Sequence, residues 1–301
     1  MRKPSKPSNL LEAIRYFADL DVAAAFVADL RWPDGPVCPK CGGREHSYLT
    51  TRRIWKCKAC KRQFSVKVGT IFEDSALGLD KWLPAVWLVA NSKNGISSHE
   101  LARSLGTTQK SAWFMLHRIR EAMRRGSIEK FAGEVEVDET YVGGKAIKMN
   151  ARQRARRKGK AVVVGAIERG GEVRASVVPD TTHDTLRDHV SASIERGATV
   201  YTDSHKAYDA LWEYGYQHSP VNHMVRYVEG DSHTNTIENF WSVLKRALYG
   251  TYVSVDPIHL SRYLDERTLA YNLRKLTDYD RFAAVLGTGF GRRLTWLDLT
   301  A

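Results

Sequence analysis

VEVDETYV, at residues 135–142, alternates apolar and polar side chains and predicts a β-strand that carries an acidic residue, Asp138. Similar patterns predict five elements downstream: strands over 161–167, 172–178 and 198–203, and helices over 182–194 and 235–248. Gly170-Gly171 supplies a hairpin turn between the first two of those strands. This succession of strands and helices predicts an α/β domain with a mixed sheet.

Three acidic residues of this region are candidates for binding divalent cations. Asp138 and Asp203 lie at the ends of predicted strands, and Glu238 lies near the start of the last helix. Taken singly, they have structural alternatives: a polar position on a half-exposed strand, a helix cap, and the glutamate of a capping box with Asn235. As a set they predict a site for two ions, because Mg²⁺ favours carboxylate oxygens and two such ions promote phosphodiester chemistry. Lys245 follows Glu238 by two helical turns, so it is expected on the same helix face, toward a DNA strand or toward solvent.

All four cysteines of the chain fall in one window as two Cys-x2-Cys pairs: Cys38, Cys41, Cys57 and Cys60. Fifteen residues separate the pairs, which is typical of a zinc ribbon, and Gly42-Gly43 permits a tight turn after the first pair. Four thiolates leave no open coordination position, so the pattern predicts one structural zinc ion. The alternatives are two disulfides, which conflict with a cytoplasmic location, and four buried thiols, which do not explain the paired spacing.

Between residues 80 and 125, apolar side chains recur every three to four residues and predict helices. Ser97 is predicted to begin a short helix that Gly106 ends, and Thr107-Thr108 begins the next one. This arrangement predicts a helix-turn-helix-like region, with a generic helical hairpin as the alternative. The second helix carries basic residues that are predicted to contact a DNA groove or backbone: Lys110, Arg118 and Arg120.

The 301-residue chain has a formal net charge of +12, and most of the excess lies in residues 38–132, with 18 basic and 7 acidic side chains. Residues 145–160 form a basic arm with eight basic residues and no acidic one, whereas the rest of 133–301 is acidic overall. This segregation predicts a nucleic acid as partner, bound by neutralisation of its phosphates. In the ribbon, basic residues alternate with Trp55 and Phe64, which predicts either a phosphate-contacting surface or a solvated face.

The sequence also argues against two classes of protein. No apolar run approaches the ~18 residues of a membrane span, and the basic N-terminus is not followed by the apolar segment of an export signal. We therefore expect a cytoplasmic protein rather than a membrane protein or a secreted disulfide scaffold.

Four motifs resemble those of the bacterial insertion-sequence transposases that combine an N-terminal zinc ribbon with an ISXO-type transposase domain. They are RWPDG at 31–35, DETYVGGK at 138–145, YTDS at 201–204 and HTNTIENFWSVLKR at 233–246. The resemblance covers nearly the whole chain and implies a ribonuclease-H-like catalytic fold and a DDE transposase. By motif position it places the metal carboxylates at Asp138, Asp203 and Glu238, with Lys245 as the accompanying basic residue. An asparagine beside Glu238, at position 235 or 239, is the alternative third ligand.

The predicted fold class is therefore multidomain α+β, in four parts. These are an N-terminal helical segment (1–37), a zinc ribbon (38–74), a helix-turn-helix-like DNA-binding region (75–132) and a ribonuclease-H-like transposase domain with a mixed sheet (133–301).

The predicted function is DNA transposition, by metal-dependent phosphodiester hydrolysis at the element's ends and subsequent strand transfer. It requires one structural Zn²⁺ and two catalytic Mg²⁺ or Mn²⁺ ions. The predicted partner is double-stranded DNA in the nucleoid, and the resemblance implies a homo-oligomer on that DNA. The basic arm is expected to bind phosphates, and His205, His223 and His233 lie near enough in sequence to assist. The alternatives are a DNA-binding regulator with an inactive nuclease-like domain and a nuclease that cleaves without joining.

Overall fold

The structure is a computed structural model that describes residues 6–124, 129–143, 160–221 and 233–300. The chain divides into two compact units, one formed by Met1–Arg124 with Leu273–Ala301 and the other by Arg125–Asn272. Within the described ranges, no helix has both the length and the apolar character that crossing a bilayer requires. The basic arm, apart from Lys160, lies outside the described residues, as does His223.

The helices of the described chain are α1 (Leu10–Phe17), α2 (Leu20–Arg31), α3 (Leu79–Asn91), α4 (Ser98–Leu105), α5 (Gln109–Met123), α6 (His183–Ser193), α7 (Asn235–Arg246), α8 (Leu260–Asn272), α9 (Asp278–Thr288) and α10 (Trp296–Thr300). The strands are β1 (His46–Leu49), β2 (Ile54–Cys57), β3 (Gln63–Phe64), β4 (Glu134–Val142), β5 (Ala161–Glu168), β6 (Val173–Val178), β7 (Thr199–Asp203) and β8 (Gln217–Val221).

In the first unit, the C-terminal helix α9 packs against helices from the N-terminal part of the chain. Phe282 of α9 is fully buried, with its ring centroid 5.2 Å from that of Trp87 in α3 and 5.6 Å from that of Phe17 in α1. The side chain of Asn91, at the end of α3, donates a hydrogen bond to the Asp278 carbonyl at 3.2 Å. The predicted transposase domain (133–301) therefore differs from the second structural unit, because residues 273–300 bury their apolar face in the first unit.

Helices α4 and α5 form the predicted pair of short helices. The Ser97 hydroxyl accepts a hydrogen bond from the Glu100 N–H, Gly106 ends α4 in the left-handed region (φ 61°), and the Thr108 hydroxyl caps α5. The predicted role of Arg118 in DNA contact is wrong, because its guanidinium is buried and donates hydrogen bonds to backbone carbonyls. These carbonyls belong to Ile71, Glu73 and Leu294.

The other two basic residues of α5 differ from each other in exposure. Arg120 is buried as deeply as the apolar core, so the prediction that it contacts DNA is also wrong. Lys110 is exposed and lies over the Trp296 ring, with its Nζ 4.9 Å from the ring centroid. Of the three basic residues predicted to contact DNA, only Lys110, in the first turn of α5, is therefore accessible to a partner.

The zinc ribbon is a three-stranded antiparallel sheet in the order β1-β2-β3. Trp55 and Phe64 face inward and pack edge-on against Trp32, so these aromatic rings build the ribbon's core rather than a phosphate-binding surface. Arg53 pairs with Asp21 at 2.6 Å. The basic residues that remain exposed on the ribbon are Lys40, Arg44, Arg52, Lys56, Lys58, Lys61 and Arg62.

The second unit contains a five-stranded mixed sheet in the order β6-β5-β4-β7-β8. Strand β5 pairs antiparallel with both β6 and β4, whereas β7 runs parallel to both β4 and β8. Helix α6 covers one face with Leu186 and Val190, and α7 and α8 cover the other. The predicted fold class is confirmed: a zinc ribbon, a helical region and an α/β domain with a mixed sheet. Strand β8 (QHSPV) was not predicted, because it lacks apolar alternation.

Candidate functional site

The four cysteines converge on one point in the ribbon. Their sulfur atoms all lie within 4.8 Å of one another, with Cys38–Cys60 at 3.7 Å and Cys41–Cys57 at 3.6 Å. A tetrahedron with Zn–S bonds of about 2.3 Å has S–S edges of about 3.8 Å, so these separations fit a zinc ion and exceed a disulfide bond. The four cysteines are clustered for zinc binding, as the predicted zinc ribbon requires.

Two turns of similar hydrogen bonding present these thiolates. The Cys38 N–H donates to the Gly43 carbonyl at 3.0 Å, and the Cys57 N–H donates to the Arg62 carbonyl at 2.9 Å. The residue after each pair is left-handed, with φ 73° at Gly42 and φ 60° at Lys61. The first turn uses glycine, as predicted, whereas the second places a lysine in a conformation that costs most residues about 1–2 kcal/mol.

Asp138 and Asp203 lie on neighbouring parallel strands in the middle of the sheet. The pairing of β4 and β7 ends at Glu136 opposite Tyr201, and Asp138 and Asp203 each lie two residues beyond that last pair. Asp203 ends β7, as predicted, whereas Asp138 lies inside β4 rather than at its end. Neighbouring strands are about 4.8 Å apart, so residues at equivalent positions just beyond the last pair lie on one face of the sheet and near each other. Both side chains are half-buried.

The Asp138 carboxylate contacts helix α7. Its Oδ2 accepts a hydrogen bond from the Trp241 indole N–H at 2.9 Å, and its Oδ1 accepts one from the Glu139 N–H at 2.8 Å. Gly165 lies opposite Asp138 on β5, and a Cβ atom there would lie 2.6 Å from the Trp241 ring. The glycine therefore allows the indole to lie directly on the sheet and reach Asp138.

The electrostatic environment of Asp138 is strongly anionic. Burial and the adjacent charge of Glu139 raise the pKa of the Asp138 carboxyl to about 7, and Asp203 adds to this rise against the opposing effect of the Trp241 hydrogen bond. The pKa of Glu139 is also raised, by burial and by Asp203, although its hydrogen bond from the Tyr208 hydroxyl (2.8 Å) lowers it. A half-buried group of two or three carboxylates supplies the oxygen ligands that a hard divalent cation prefers.

Glu238 lies in the first turn of α7, with an exposed side chain whose Oε1 accepts a hydrogen bond from the Thr234 hydroxyl at 3.3 Å. The helix begins at Asn235 with Thr234 at the N-cap position, so the capping box between Asn235 and Glu238 does not form. Trp241 follows Glu238 by three residues, which places Glu238 one helical turn from the Asp138 contact. Lys245 is half-buried one turn beyond Trp241.

Asp138, Asp203 and Glu238 do not lie close enough together to form a group of three ligands around one ion. In the described part of the chain, only the four cysteines form a group of three or more Cys, His, Asp or Glu ligands placed to hold an ion. The structure thus brings Asp138 beside Asp203 and Trp241, while Glu238 is one turn of α7 away. The metal-binding roles of Asp138, Asp203 and Glu238, and the role of Lys245, stay predictions.

Sequence reasoning missed three polar residues next to Asp138. Glu139 and Tyr208 form the hydrogen bond described above on the α6 face of the sheet. Glu136 is fully buried on the α7 face. The alternating pattern of β4 carried a signal, because Glu136 and Asp138 share one face, but it suggested a solvent-exposed face rather than one covered by a helix.

Two family models match the chain. The ISXO2-like transposase domain matches residues 130–272, and the transposase zinc-ribbon domain matches residues 20–63. The first match ends at the same residue as the second structural unit.

Two proteins with related sequences carry compatible descriptions. A protein described as an uncharacterized protein in transposable element ISH50, from Halobacterium salinarum, is 30% identical over 283 residues, which covers 87% of this chain and 92% of the relative. An uncharacterized transposase-like protein from Haemophilus influenzae is 30% identical over 101 residues, 34% of this chain and 81% of that protein.

Proposed function

Because the chain belongs to the family of transposases that join a zinc ribbon to an ISXO2-like transposase domain, we propose that it binds the ends of an insertion sequence and catalyses metal-dependent DNA cleavage and strand transfer. The proposed reaction is hydrolysis of a phosphodiester bond at the element's end. The freed 3′-hydroxyl then attacks a phosphodiester of the target DNA. The new P–O bond joins the two strands, while the target's P–O3′ bond breaks and leaves a 3′-hydroxyl on the target strand.

The ligands in this proposal are Asp138 and Asp203, with Glu238 completing the set. Two Mg²⁺ or Mn²⁺ ions, when bound there, supply stabilisation of the attacking and leaving oxygens. The proposal is supported by the parallel pairing of β4 and β7, because Asp138 and Asp203 each lie two residues beyond its last pair, next to the helix that bears Glu238. Trp241 orients the Asp138 carboxylate through its indole N–H. Lys245, further along the same helix, contacts a DNA phosphate.

The first unit supplies DNA binding in this proposal. The exposed cations of the ribbon, such as Lys56 and Arg62, and Lys110 at the start of α5 neutralise phosphates of the element's ends. Joining two ends requires at least two copies of the chain on DNA, so we propose a homo-oligomer in the complex. The reaction takes place on the nucleoid in the cytoplasm, where both the element and its target lie.

The experiment is a cleavage and joining assay on DNA that flanks the protein's own gene. It uses the zinc-loaded full chain with Mg²⁺ or Mn²⁺ and compares it with Asp203→Asn. We expect nicks at a defined end and joined products, both at least about 100-fold weaker in the variant, while DNA binding is unchanged. Binding without cleavage in either metal would favour a DNA-binding regulator. Cleavage without joined product, at no particular end sequence, would favour a nuclease.

A further inference from the structure

A buried carboxylate connects the central strand of the sheet to the start of α7. Glu136 is fully buried, and its Oε2 accepts hydrogen bonds from the Thr236 and Ile237 N–H groups at 2.9 and 3.0 Å. Its Oε1 accepts a third hydrogen bond from the Thr236 hydroxyl at 2.9 Å. The first turn of a helix has N–H groups without partners in the helix, and the side chain of the N-cap residue, Thr234, does not cap them. Glu136 therefore caps α7 from the sheet.

Arg169 extends this contact to two further segments. Its Nε donates to Glu136 Oε1 at 3.1 Å, and its Nη2 donates to the His233 carbonyl at 2.8 Å, just before α7. Its guanidinium lies over the Tyr201 ring of β7, 3.9 Å from the ring centroid. The Tyr201 hydroxyl in turn donates to Glu134 at 2.9 Å. The Glu136 cluster, defined as Glu136, Arg169, Tyr201, Thr236 and Ile237, thus links β4, β7 and α7.

The cluster lies directly beside all three predicted metal ligands along the chain. Each ligand follows a cluster member by two residues: Asp138 follows Glu136, Asp203 follows Tyr201, and Glu238 follows Thr236. Two residues of strand span about 7 Å. If α7 shifted along the sheet at Glu136, Glu238 would therefore move about as far as the helix does relative to Asp138 and Asp203.

We propose that Glu136 is a positioning residue, which fixes α7 against β4 so that Glu238 reaches the same cations as Asp138 and Asp203. The proposal rests on the metal-binding roles proposed above. A hydrogen-bonded charge has a directional preference that an apolar contact lacks, and a carboxylate at a helix N-terminus is further stabilised by the helix dipole. Apolar packing of Ile237 alone holds α7 on the sheet but leaves its position along the strands less defined.

The test compares Glu136→Gln with a matched variant on the same strand, Glu134→Gln. Glu134 also lies near Arg169, with its Oε2 3.6 Å from Nη1, and is exposed. Mn²⁺ binding by the zinc-loaded full chain is measured from the electron paramagnetic resonance signal of free Mn²⁺, and binding that Asp138→Asn removes is assigned to the site. Residues that orient metal ligands typically contribute about 10–100-fold in affinity. We expect Glu136→Gln to weaken Mn²⁺ binding about tenfold and Glu134→Gln less than twofold.

Amide hydrogen exchange supplies a second readout that does not depend on metal. We expect the amides of Thr236 and Ile237 to lose protection in Glu136→Gln and to keep it in Glu134→Gln. If Glu136→Gln does not fold, Thr236→Ala removes one hydrogen bond to the carboxylate and Thr236→Ser keeps it. In that pair, weaker Mn²⁺ binding by the alanine variant supports the proposal.

The possible failures are distinguishable. Unchanged Mn²⁺ affinity in a folded Glu136→Gln chain, or in Thr236→Ala when that pair decides, overturns the positioning role and leaves the proposed function standing. A wild-type chain that binds no more Mn²⁺ than Asp138→Asn refutes the metal site itself, and the positioning role with it.

Discussion

The two candidate metal centres of this protein differ in how their ligands are assembled. In the ribbon, four sulfur atoms lie within 4.8 Å of one another, and two short turns bring them there. In the second unit, Asp138 and Asp203 lie two residues beyond the last pair of two parallel strands, whereas Glu238 lies on a separate helix whose first turn is capped by a buried carboxylate. A centre built by local turns can therefore be predicted from the spacing of its ligands, whereas one built by tertiary packing also depends on residues that bind no ion.

The cores that surround the two centres differ as well. The cluster around the ribbon's cysteines has three buried residues, Cys38, Cys57 and Phe64, with two tryptophans packed beside them, so two of these three residues are predicted zinc ligands. The five-stranded sheet has an extensive apolar cluster on each face. We therefore expect the ribbon to owe its order to zinc and the sheet to be ordered without any ion.

Removal of zinc is the change with the largest expected effect on this comparison. Structural zinc sites contribute roughly 10–16 kcal/mol of apparent binding free energy in small zinc domains, more than a core of this size supplies. Treatment with a chelator, or the substitution Cys57→Ser, should remove amide protection from residues 46–64 and leave that of β4 and β5 unchanged. Hydrogen exchange with mass spectrometry measures both regions in one experiment.

The matched control for zinc removal is Asp138→Asn, which should leave protection of the ribbon intact. Ribbon strands that stay protected in the metal-free chain would show that apolar packing, not zinc, holds them, and the contrast between the two centres would then disappear.

A smaller effect is expected from adding one methyl group under Trp241. In Gly165→Ala the new Cβ would lie 2.6 Å from the indole, so the ring must move away from Asp138. Overpacking of this kind typically lowers the free energy of unfolding by about 1–3 kcal/mol, which urea denaturation measures. Gly250→Ala is the control, because nothing lies within 4 Å of its added Cβ. Equal stability of the two variants would mean that Gly165 is not needed for the indole's contact with the sheet.

The smallest effect concerns the difference between the two turns of the ribbon. Lys61 is left-handed (φ 60°) where the first turn has Gly42. Lys61→Gly should therefore stabilise the zinc-loaded ribbon by about 0.5–1 kcal/mol, the relief of left-handed strain less the added entropy of the unfolded chain. Amide hydrogen exchange in the first unit, followed as the temperature is raised, measures this gain in stability. Lys58→Gly, which removes the same charge without a positive φ, should not stabilise the ribbon, and a gain there would point to charge repulsion instead.

Much of the fold could be predicted because local chemistry determines it. The cysteine spacing predicted the ribbon, and the alternation at 135–142 predicted β4. Ser97 and Gly106 marked the limits of α4 because capping is a property of a few neighbouring residues. The family's motifs singled out Asp138 and Asp203, which follow the last paired residues of β4 and β7 by two positions.

The rest depends on tertiary packing that a sequence pattern does not contain. Arg118 has the charge of a DNA contact, yet the backbone carbonyls that surround it come from distant parts of the chain. Glu136 looked like a solvent-facing position because nothing in β4 itself indicates that α7 covers that face. The sequence of α9 is amphipathic, but its periodicity does not determine which unit buries the apolar face of the helix.

The central claim is that Asp138 and Asp203 hold one cation pair together with Glu238. The most direct measurement is anomalous diffraction at the manganese edge, from crystals of the zinc-loaded full chain bound to a DNA end and grown with Mn²⁺. We expect anomalous peaks within about 2.3 Å of carboxylate oxygens from both Asp138 and Asp203, with Glu238 bound to one of the ions. Manganese that contacts neither strand carboxylate, in crystals with DNA bound to the second unit, would contradict this claim.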